Sequence, residues 1–315
     1  MKVDVSEIKS FKGCPRQWKL TSRNGYHMRP KVTPPQLAMG TLFHEALHSL
    51  YLGASLDSVM NTIRKEMSKE TDSALLAMIP GYAREVLPED LDKYVVLDIE
   101  HKFSMNALDL YKQIVCYGDY RDYPWDPNLG DINFVGSIDM IVYCPENNCI
   151  YGFEHKTAKN FRPTSYLWMD EQPRLYYLAL IQYVEEYNIK HHKDDGFVPV
   201  KVGGVFLNEV KKLLRQFQYN RTLCTYEDED LRNFLVAFCN KALAVQDMVR
   251  TNKFACPEPD YFKCQMCDWK GVCETYMYSD IPKAVLLDEW NEQFVERETD
   301  HLEEKVERGK ESDES

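Results

Sequence analysis

Ile132-Asn-Phe-Val-Gly136-Ser-Ile-Asp139-Met-Ile-Val-Tyr143, a turn at Pro145-Glu-Asn-Asn148, and Cys149-Ile-Tyr-Gly-Phe153-Glu154-His155-Lys156 decide the reading of this chain. Both flanking runs are apolar and rich in β-formers, so they predict two strands around a polar turn. Side chains alternate along a strand, so Glu154 and Lys156 project side by side. Asp139 on the other strand brings a second carboxylate. Two carboxylates make a hard oxygen site suited to Mg²⁺ or Mn²⁺. A lysine beside them can steady an attacking water or offset charge developing on a phosphate. These are the parts needed to hydrolyse a phosphodiester. Taken alone, a Glu-x-Lys in a strand is more often a solvated pair of charges.

The hairpin has company. Gly40-Thr-Leu-Phe-His44-Glu-Ala-Leu47 lies upstream on an apolar-periodic helix, and Gln172-Pro-Arg-Leu-Tyr176 opens another downstream. Gln172 and Tyr176 are one helical turn apart and share a face. A capping glutamine and a core tyrosine are the plainer account of that pair, as a satisfied core histidine is for His44. Cys14 stands near the start, and Cys264-x-x-Cys267-x5-Cys273 near the end. Cys264 and Cys267 have chelate spacing, which by itself reads as zinc, but a zinc ribbon wants a second local pair that is lacking here.

In this order the residues resemble the RecB-like branch of the PD-(D/E)XK nuclease superfamily, the branch that carries an iron–sulfur cluster and includes CRISPR-associated RecB-like exonucleases. The resemblance runs over roughly residues 6–275 through Cys14-Pro-Arg-Gln-Trp18, His44, Asp139, Glu154-x-Lys156, Gln172-x3-Tyr176 and the late cysteines. It implies an α/β fold: a mixed central sheet flanked by helices, with a helical insertion and a cysteine-ligated clasp joining the two ends of the chain. It implies that Asp139, Glu154, His44 and the backbone carbonyl of His155 hold Mg²⁺ or Mn²⁺, with Lys156 as the catalytic cation. Gln172 and Tyr176 would position that lysine and the DNA backbone. Cys14, Cys264, Cys267 and Cys273 would hold a [4Fe–4S] cluster, with all four ligands thiolates. Cys256 is the rival ligand. The other cysteines, Cys116, Cys144, Cys149, Cys224 and Cys239, read as ordinary buried thiols. Glu100, on a flanking strand, is a looser candidate for a second metal or a basic partner.

Charge divides along the chain. Residues 288–315 hold twelve Asp or Glu against four Lys or Arg, a net of −8 out of −12 for the whole chain. Residues 1–35 hold eight Lys or Arg against two Asp or Glu, a net of +6. Lys9, Lys12, Arg16, Lys19 and Arg23 recur near helical spacing, which suits either a solvent-facing stripe or contact with phosphates. No leader-like apolar run and no membrane-length span is visible, so a cytoplasmic protein with reduced thiols is expected. No Gly-x4-Gly-Lys-Ser/Thr phosphate loop is present, so any motor is supplied by a helicase or recombination partner.

The organisation expected is a nuclease domain over 1–280, with a helical part at 37–90, a catalytic core at 94–220 and the clasp at 14 plus 256–275. An acidic tail at 281–315 follows. Helices are expected at Ser6–Lys12 with Ser6 as cap, Leu37–Leu52, Ser58–Lys69, Ser73–Val86, Tyr166–Tyr187, Asp228–Arg250 and Ala284–Arg308. Strands are expected at Tyr94–Met105, Lys112–Tyr120, Ile132–Tyr143, Tyr151–Lys156, Val200–Leu207 and Gln216–Tyr219. The cysteine segment reads as loop-rich, and Glu311–Ser315 as disordered. The activity these features imply is a metal-dependent DNA nuclease, an exonuclease on single-stranded DNA or DNA ends. The alternatives are a DNA-binding subunit of a repair or CRISPR-adaptation complex, or a structure-specific endonuclease or RNase of the same fold. Oligomeric state and polarity stay open.

Overall fold

A two-residue strand, β1 (Lys2–Val3), opens the chain, and Asp4 then starts helix α1 (Val5–Gly13). Asp4 sits in extended backbone and its carboxylate accepts the Glu7 amide at 2.8 Å. The cap is therefore Asp4 rather than Ser6, because the earlier residue reaches the free amides of the first turn. Helix α2 (Pro15–Thr21) begins directly after Cys14, with Pro15 where a missing N–H costs nothing. Strand β2 (Met28–Pro30) and helices α3 (Pro35–Tyr51), α4 (Leu56–Glu66), α5 (Asp72–Glu85) and α6 (Leu87–Lys93) follow. Then come β3 (Val95–Asn106), α7 (Ala107–Ile114), a 3-10 turn (Pro127–Asp131), β4 (Asn133–Cys144) and β5 (Cys149–Ala158). Helices α8 (Thr164–Leu167) and α9 (Glu171–His191) lead to β6 (Lys201–Lys211) and β7 (Tyr219–Cys224). Helices α10 (Asp228–Thr251), α11 (Tyr261–Gln265), α12 (Lys270–Thr275) and α13 (Lys283–Glu289), with strand β8 (Phe294–Glu296), complete the elements. The computed structural model describes all residues except 33–34, 67–71, 117–123, 168, 195, 252–257, 259, 277–278 and 298–315.

The chain divides into two compact units. One comprises 34–103 and 137–231; the other comprises 1–33, 104–136 and 232–315. In the first, β4 pairs antiparallel with β5 from Met140↔Phe153 to Cys144↔Cys149. Strand β6 joins β5 in parallel and β7 joins β6 antiparallel, which gives the mixed sheet. The parallel pair needs a crossover, and α8 and α9 supply it. The register slips between Ile150 and Tyr151, opposite Gly203 and Gly204. Gly204 has φ +133°, and a Cβ on Gly203 would meet the Tyr151 ring at 2.3 Å, so neither position takes a side chain without strain. The apolar stripes of α3 and α5 bury Phe43, Leu47, Leu75, Met78 and Tyr82 in one core with Met140 and Phe153 of the sheet. Each such side chain contributes about 1.5–3 kcal/mol when fully buried.

In the second unit β1 pairs in parallel with the start of β4, Lys2↔Asn133 and Val3↔Phe134. Strands β2 and β8 form an antiparallel ribbon, Met28↔Glu296 through Pro30↔Phe294. Leu20, Met28, Trp269, Val272, Ile281, Leu286 and Phe294 make a small core, with Trp269 stacked on Phe294 at 3.8 Å between ring centres.

Several expected elements differ. Lys112–Ile114 is the end of α7, not a strand: Asn106 caps that helix by accepting the Leu108 and Asp109 amides, and Leu110 and Tyr111 bury one turn's face. Val115 caps the end of that helix and Cys116 follows in a bend, and the remainder of the expected strand, at 117–120, lies outside the described residues. The single helix expected at Tyr166–Tyr187 is split, because Asp170 caps a new start by accepting the Gln172 amide. The strand expected at Gln216–Tyr219 lies at Tyr219–Cys224, where its apolar residues pair with β6. The cysteine segment is helical at α11 and α12 rather than loop-rich. Ala284–Glu289 is helical, but the chain then turns into β8, whose Phe294 completes the small core. The acidic stretch therefore begins as part of a packed unit. Residues 298–308, expected to be helical, and Glu311–Ser315, expected to be disordered, lie outside the described residues. Among the described residues no helix is long and apolar enough to cross a membrane.

Candidate active site

Asp139 neighbours Met140, the residue of β4 that pairs with Phe153, so its side chain stands beside Glu154 of β5. Both carboxylates are only 3% exposed. One oxygen of Asp139, Oδ2, accepts the His155 amide at 2.8 Å. The other, Oδ1, lies 3.4 Å from His44 Nδ1 on α3. Two positions along β5, the Lys156 ammonium contacts Glu154 Oε1, the same-face pair that the strand period predicts. Gln172 Nε2 donates to Glu154 Oε1 at 2.9 Å and to Tyr176 Oη at 2.8 Å. The first turn of α9 thus aims a polar pair at the strand. His44, Asp139, Glu154, Lys156, Gln172 and Tyr176, dispersed over 133 positions of sequence, are brought together.

Burial pushes the Glu154 carboxyl above its ordinary range, and the charge of Asp139 adds to that; Lys156 and His44 oppose it. Burial alone would lower the Lys156 ammonium, but Glu154 and Asp139 outweigh it and the net shift is upward. Lys156 is therefore a persistent cation. The His155 imidazole is pushed down to about 3, chiefly by burial, and is neutral at physiological pH.

One buried oxygen, Glu154 Oε2, has no hydrogen-bond partner among the described residues, and neither does His44 Nδ1. Leaving a buried carboxylate oxygen unpaired costs on the order of 1–3 kcal/mol or more, so such groups normally have a partner. Two carboxylates and one imidazole nitrogen are the donor chemistry of Mg²⁺ or Mn²⁺. The residues fit such an ion. Among the described residues no three His, Cys, Asp or Glu side chains already converge as a metal-holding group.

Several neighbours were not singled out from sequence. Arg162 donates to Glu209 Oε1 at 3.0 Å and to Asp170 Oδ2 at 2.6 Å, and so pins the segment between β5 and α9. Glu209 stands opposite Lys156 in the parallel register. Asn208 Nδ2 lies 3.4 Å from His155 Nδ1. The signal available was Asn208-Glu209 inside an apolar run, since paired polar residues in a buried strand are rare unless satisfied. Glu100 has φ 52° and lies 3.5 Å from His48 Nδ1, so its basic partner is the histidine one turn beyond His44.

The four cysteines expected to act together all lie in the second unit. Burial raises the Cys267 and Cys273 thiols, and Cys14 adds to both. Cys264 also acts on Cys267. Arg16 faces Cys273 and donates to the carbonyls of Tyr276 at 2.7 Å and Ser279 at 2.8 Å. The Cys14 segment is thereby tied to the late cysteines by bonds spanning 260 and 263 positions. Four free, half-buried thiols have the chemistry of a thiolate site. Cys256 lies outside the described residues. Among the thiols expected to be buried, Cys116 and Cys149 are partly exposed; Cys149 stands at the open start of β5. The basic stripe also differs from a free phosphate-facing surface: Arg16 is buried, Arg23 pairs with Asp4 at 2.7 Å, and Lys19 with Asp280 at 3.1 Å.

Residues 3–274 match the family described as the PD-(D/E)XK nuclease superfamily. The chain belongs to that superfamily and is, in class, a nuclease and hence a hydrolase. It is similar to a solved structure from Eubacterium rectale described as a "Putative exonuclease", with 13% identity, a TM-score of 0.45, and coverage of 90% of this chain and 92% of that one. It is also similar to the solved structure of SSO0001, with 11% identity, a TM-score of 0.31, and coverage of 86% and 85%. No curated protein matches it by sequence.

Proposed function

We propose that the chain is a metal-dependent deoxyribonuclease, working as an exonuclease on single-stranded DNA or DNA ends, with Asp139, Glu154, Lys156, Gln172 and Tyr176 as its working residues. The observation that carries this reading is the buried Glu154 Oε2 without a hydrogen-bond partner among the described residues, on a carboxylate whose other oxygen contacts Lys156 and whose strand neighbour is Asp139. Mg²⁺ or Mn²⁺ would be held by Asp139, Glu154, His44 and the His155 carbonyl. When bound, the ion supplies a water of lowered pKa and neutralises charge on the phosphate. The chain's own residues do the rest. Lys156, held charged by Glu154, orients the water and offsets charge on the phosphate at the transition state. Gln172 holds Glu154 in place and is itself held by Tyr176. The His155 amide fixes the orientation of Asp139.

In this reading Cys14, Cys264, Cys267 and Cys273 hold a [4Fe–4S] cluster that clasps the unit, with no part in hydrolysis. The protein acts in the cytoplasm, and a helicase or recombination partner delivers the strand. The test is cleavage of matched single-stranded DNA, duplex DNA and RNA, end-labelled and internally labelled, with Mg²⁺ and with EDTA. Mononucleotide release from single-stranded DNA, lost in EDTA and in Lys156→Ala, is expected. Cutting of RNA alone, or activity that survives exhaustive chelation, refutes the reading.

A further inference from the structure

We propose that Arg221 is a positioning residue for the metal site, fixing the spacing between helix α3, which carries His44, and strand β5, which carries Glu154 and His155. This rests on the metal-dependent reading above.

Arg221 is on β7, away from every motif of the site. Its Nη1 and Nη2 make a two-pronged pair with Asp90 of α6, at 2.6 and 2.7 Å. Asp90 also accepts Tyr51 Oη at 2.5 Å. Tyr51 lies two helical turns beyond His44 on α3, so the helix that carries His44 is anchored through Asp90. Tyr51 is fixed further by Tyr82 Oη at 2.8 Å. On the other side, Arg221 Nε donates to Asn208 Oδ1 at 2.7 Å, and Asn208 Nδ2 faces His155 Nδ1 at 3.4 Å. The amide of His155 is the donor that orients Asp139. One guanidinium thus terminates two branches, one on the helix of His44 and one on the imidazole of His155, the residue whose backbone amide holds Asp139.

The surroundings make this fork rigid. Asp90 and Asn208 are 2% and 0% exposed. The guanidinium packs over Phe153 at 4.8 Å and over Phe206 and Tyr219 at 5.4 Å. A buried ion pair is a weak source of net stability, since well-packed apolar residues often do as well. A planar five-donor fork, by contrast, sets geometry in two directions at once, which lysine does not. Outer partners of metal ligands typically change metal affinity or activity by about 10–100-fold when removed.

The test is Mn²⁺ binding to the full-length protein without substrate, followed by the spin-resonance signal of free Mn²⁺, beside the melting temperature and the half-activating Mg²⁺ concentration. Arg221→Lys keeps the charge and loses the fork. Tyr51→Phe removes one oxygen and leaves the Asp90–Arg221 pair intact, so it keeps the test alive if Arg221→Lys does not fold. Both variants are expected to weaken Mn²⁺ binding by about tenfold and raise the half-activating Mg²⁺ to match, with kcat near wild type at saturating metal. A fall in melting temperature with unchanged Mn²⁺ affinity overturns the proposal and leaves Arg221 a scaffold residue. Absence of Mn²⁺ binding in the wild type overturns the metal reading itself, and this proposal with it.

Discussion

The two units solve different problems of assembly. In the sheet unit the side chains proposed to do the chemistry lie on neighbouring strands and on a helix beside them, so strand period and register place them. Asp139, Glu154 and Lys156 fall within 18 positions of sequence. In the cysteine unit Cys14 and Cys264 stand 250 positions apart, and no local period relates them. Their approach depends on closure of a long loop, held by Arg16 on two late carbonyls and Tyr26 Oη on the Ile281 carbonyl at 2.7 Å. The apolar core of the first arrangement is built without Asp139, Glu154 or Lys156, so chemistry and stability are expected to separate there. In the second, a cluster held as proposed would be part of the fold itself. Variants in the two units should therefore fail differently.

The largest effect is expected at the carboxylates. Glu154→Gln should reduce cleavage by at least about 10³-fold, since it removes both a metal donor and the partner of Lys156. Its melting temperature should hold or rise near neutral pH, because burial disfavours the charged form of Glu154. A single-turnover assay beside a thermal melt decides it. A Glu154→Gln protein that melts far below wild type would erase the contrast between the units.

Next comes the clasp. Anaerobic protein should be brown and hold about four iron and four sulfide per chain, as a four-thiolate cubane requires. Cys14→Ser should lower the melting temperature as much as Cys264→Ser, despite their separation, while EDTA treatment that stops cleavage should leave the melting temperature nearly unchanged. One zinc and no iron in elemental analysis would end the cluster assignment. Full metal content in Cys14→Ser would move the fourth ligand to Cys256.

This contrast also explains what the sequence made legible. The β4–β5 hairpin, α3 and the shared face of Gln172 and Tyr176 on α9 are legible because periods of 2 and 3.6 act over a few residues, whereas the start of α9 is not, since it is set by the Asp170 cap. Lys112–Ile114 misled because Tyr111 and Val115 are as much at home in a strand as in a helix, and the deciding event was the Asn106 cap. Arg162, Glu209 and the Arg221 fork were not legible, since each matters only through partners distant in sequence. The N-terminal basic stripe shows the same limit: its helical spacing is broken at Cys14 between α1 and α2, Arg23 lies beyond α2, and Arg16, Lys19 and Arg23 have internal partners.

A smaller effect is expected from the support of Glu154. Gln172→Ala should slow cleavage by about 10–100-fold, with little change in melting temperature. Tyr176→Phe, which removes only the hydroxyl beside Gln172, should do less. If Tyr176→Phe proves the more damaging of the two, the tyrosine acts on substrate directly and not through Gln172.

The smallest expected effect belongs to the cysteine unit and concerns pH. Glu7 of α1 is buried, and its carboxylate accepts Trp18 Nε1 at 2.6 Å and Ser22 Oγ at 2.6 Å. Burial nevertheless dominates, and the Glu7 pKa is raised above 4.5 in the folded protein. A carboxyl whose folded pKa is raised favours folding when protonated. That contribution is complete below the unfolded value and is lost as pH rises through the folded one. Glu7→Gln keeps an acceptor for Trp18 and Ser22 and cannot ionise. The melting temperature of Glu7→Gln minus that of wild type should therefore climb from about pH 4.5 toward neutrality, with cleavage unaffected once the protein is folded. A difference that stays flat, or falls, over that window would mean that the two donors and the nearby Arg23 outweigh burial, and that the α1–α2 corner is built around a carboxylate rather than in spite of one.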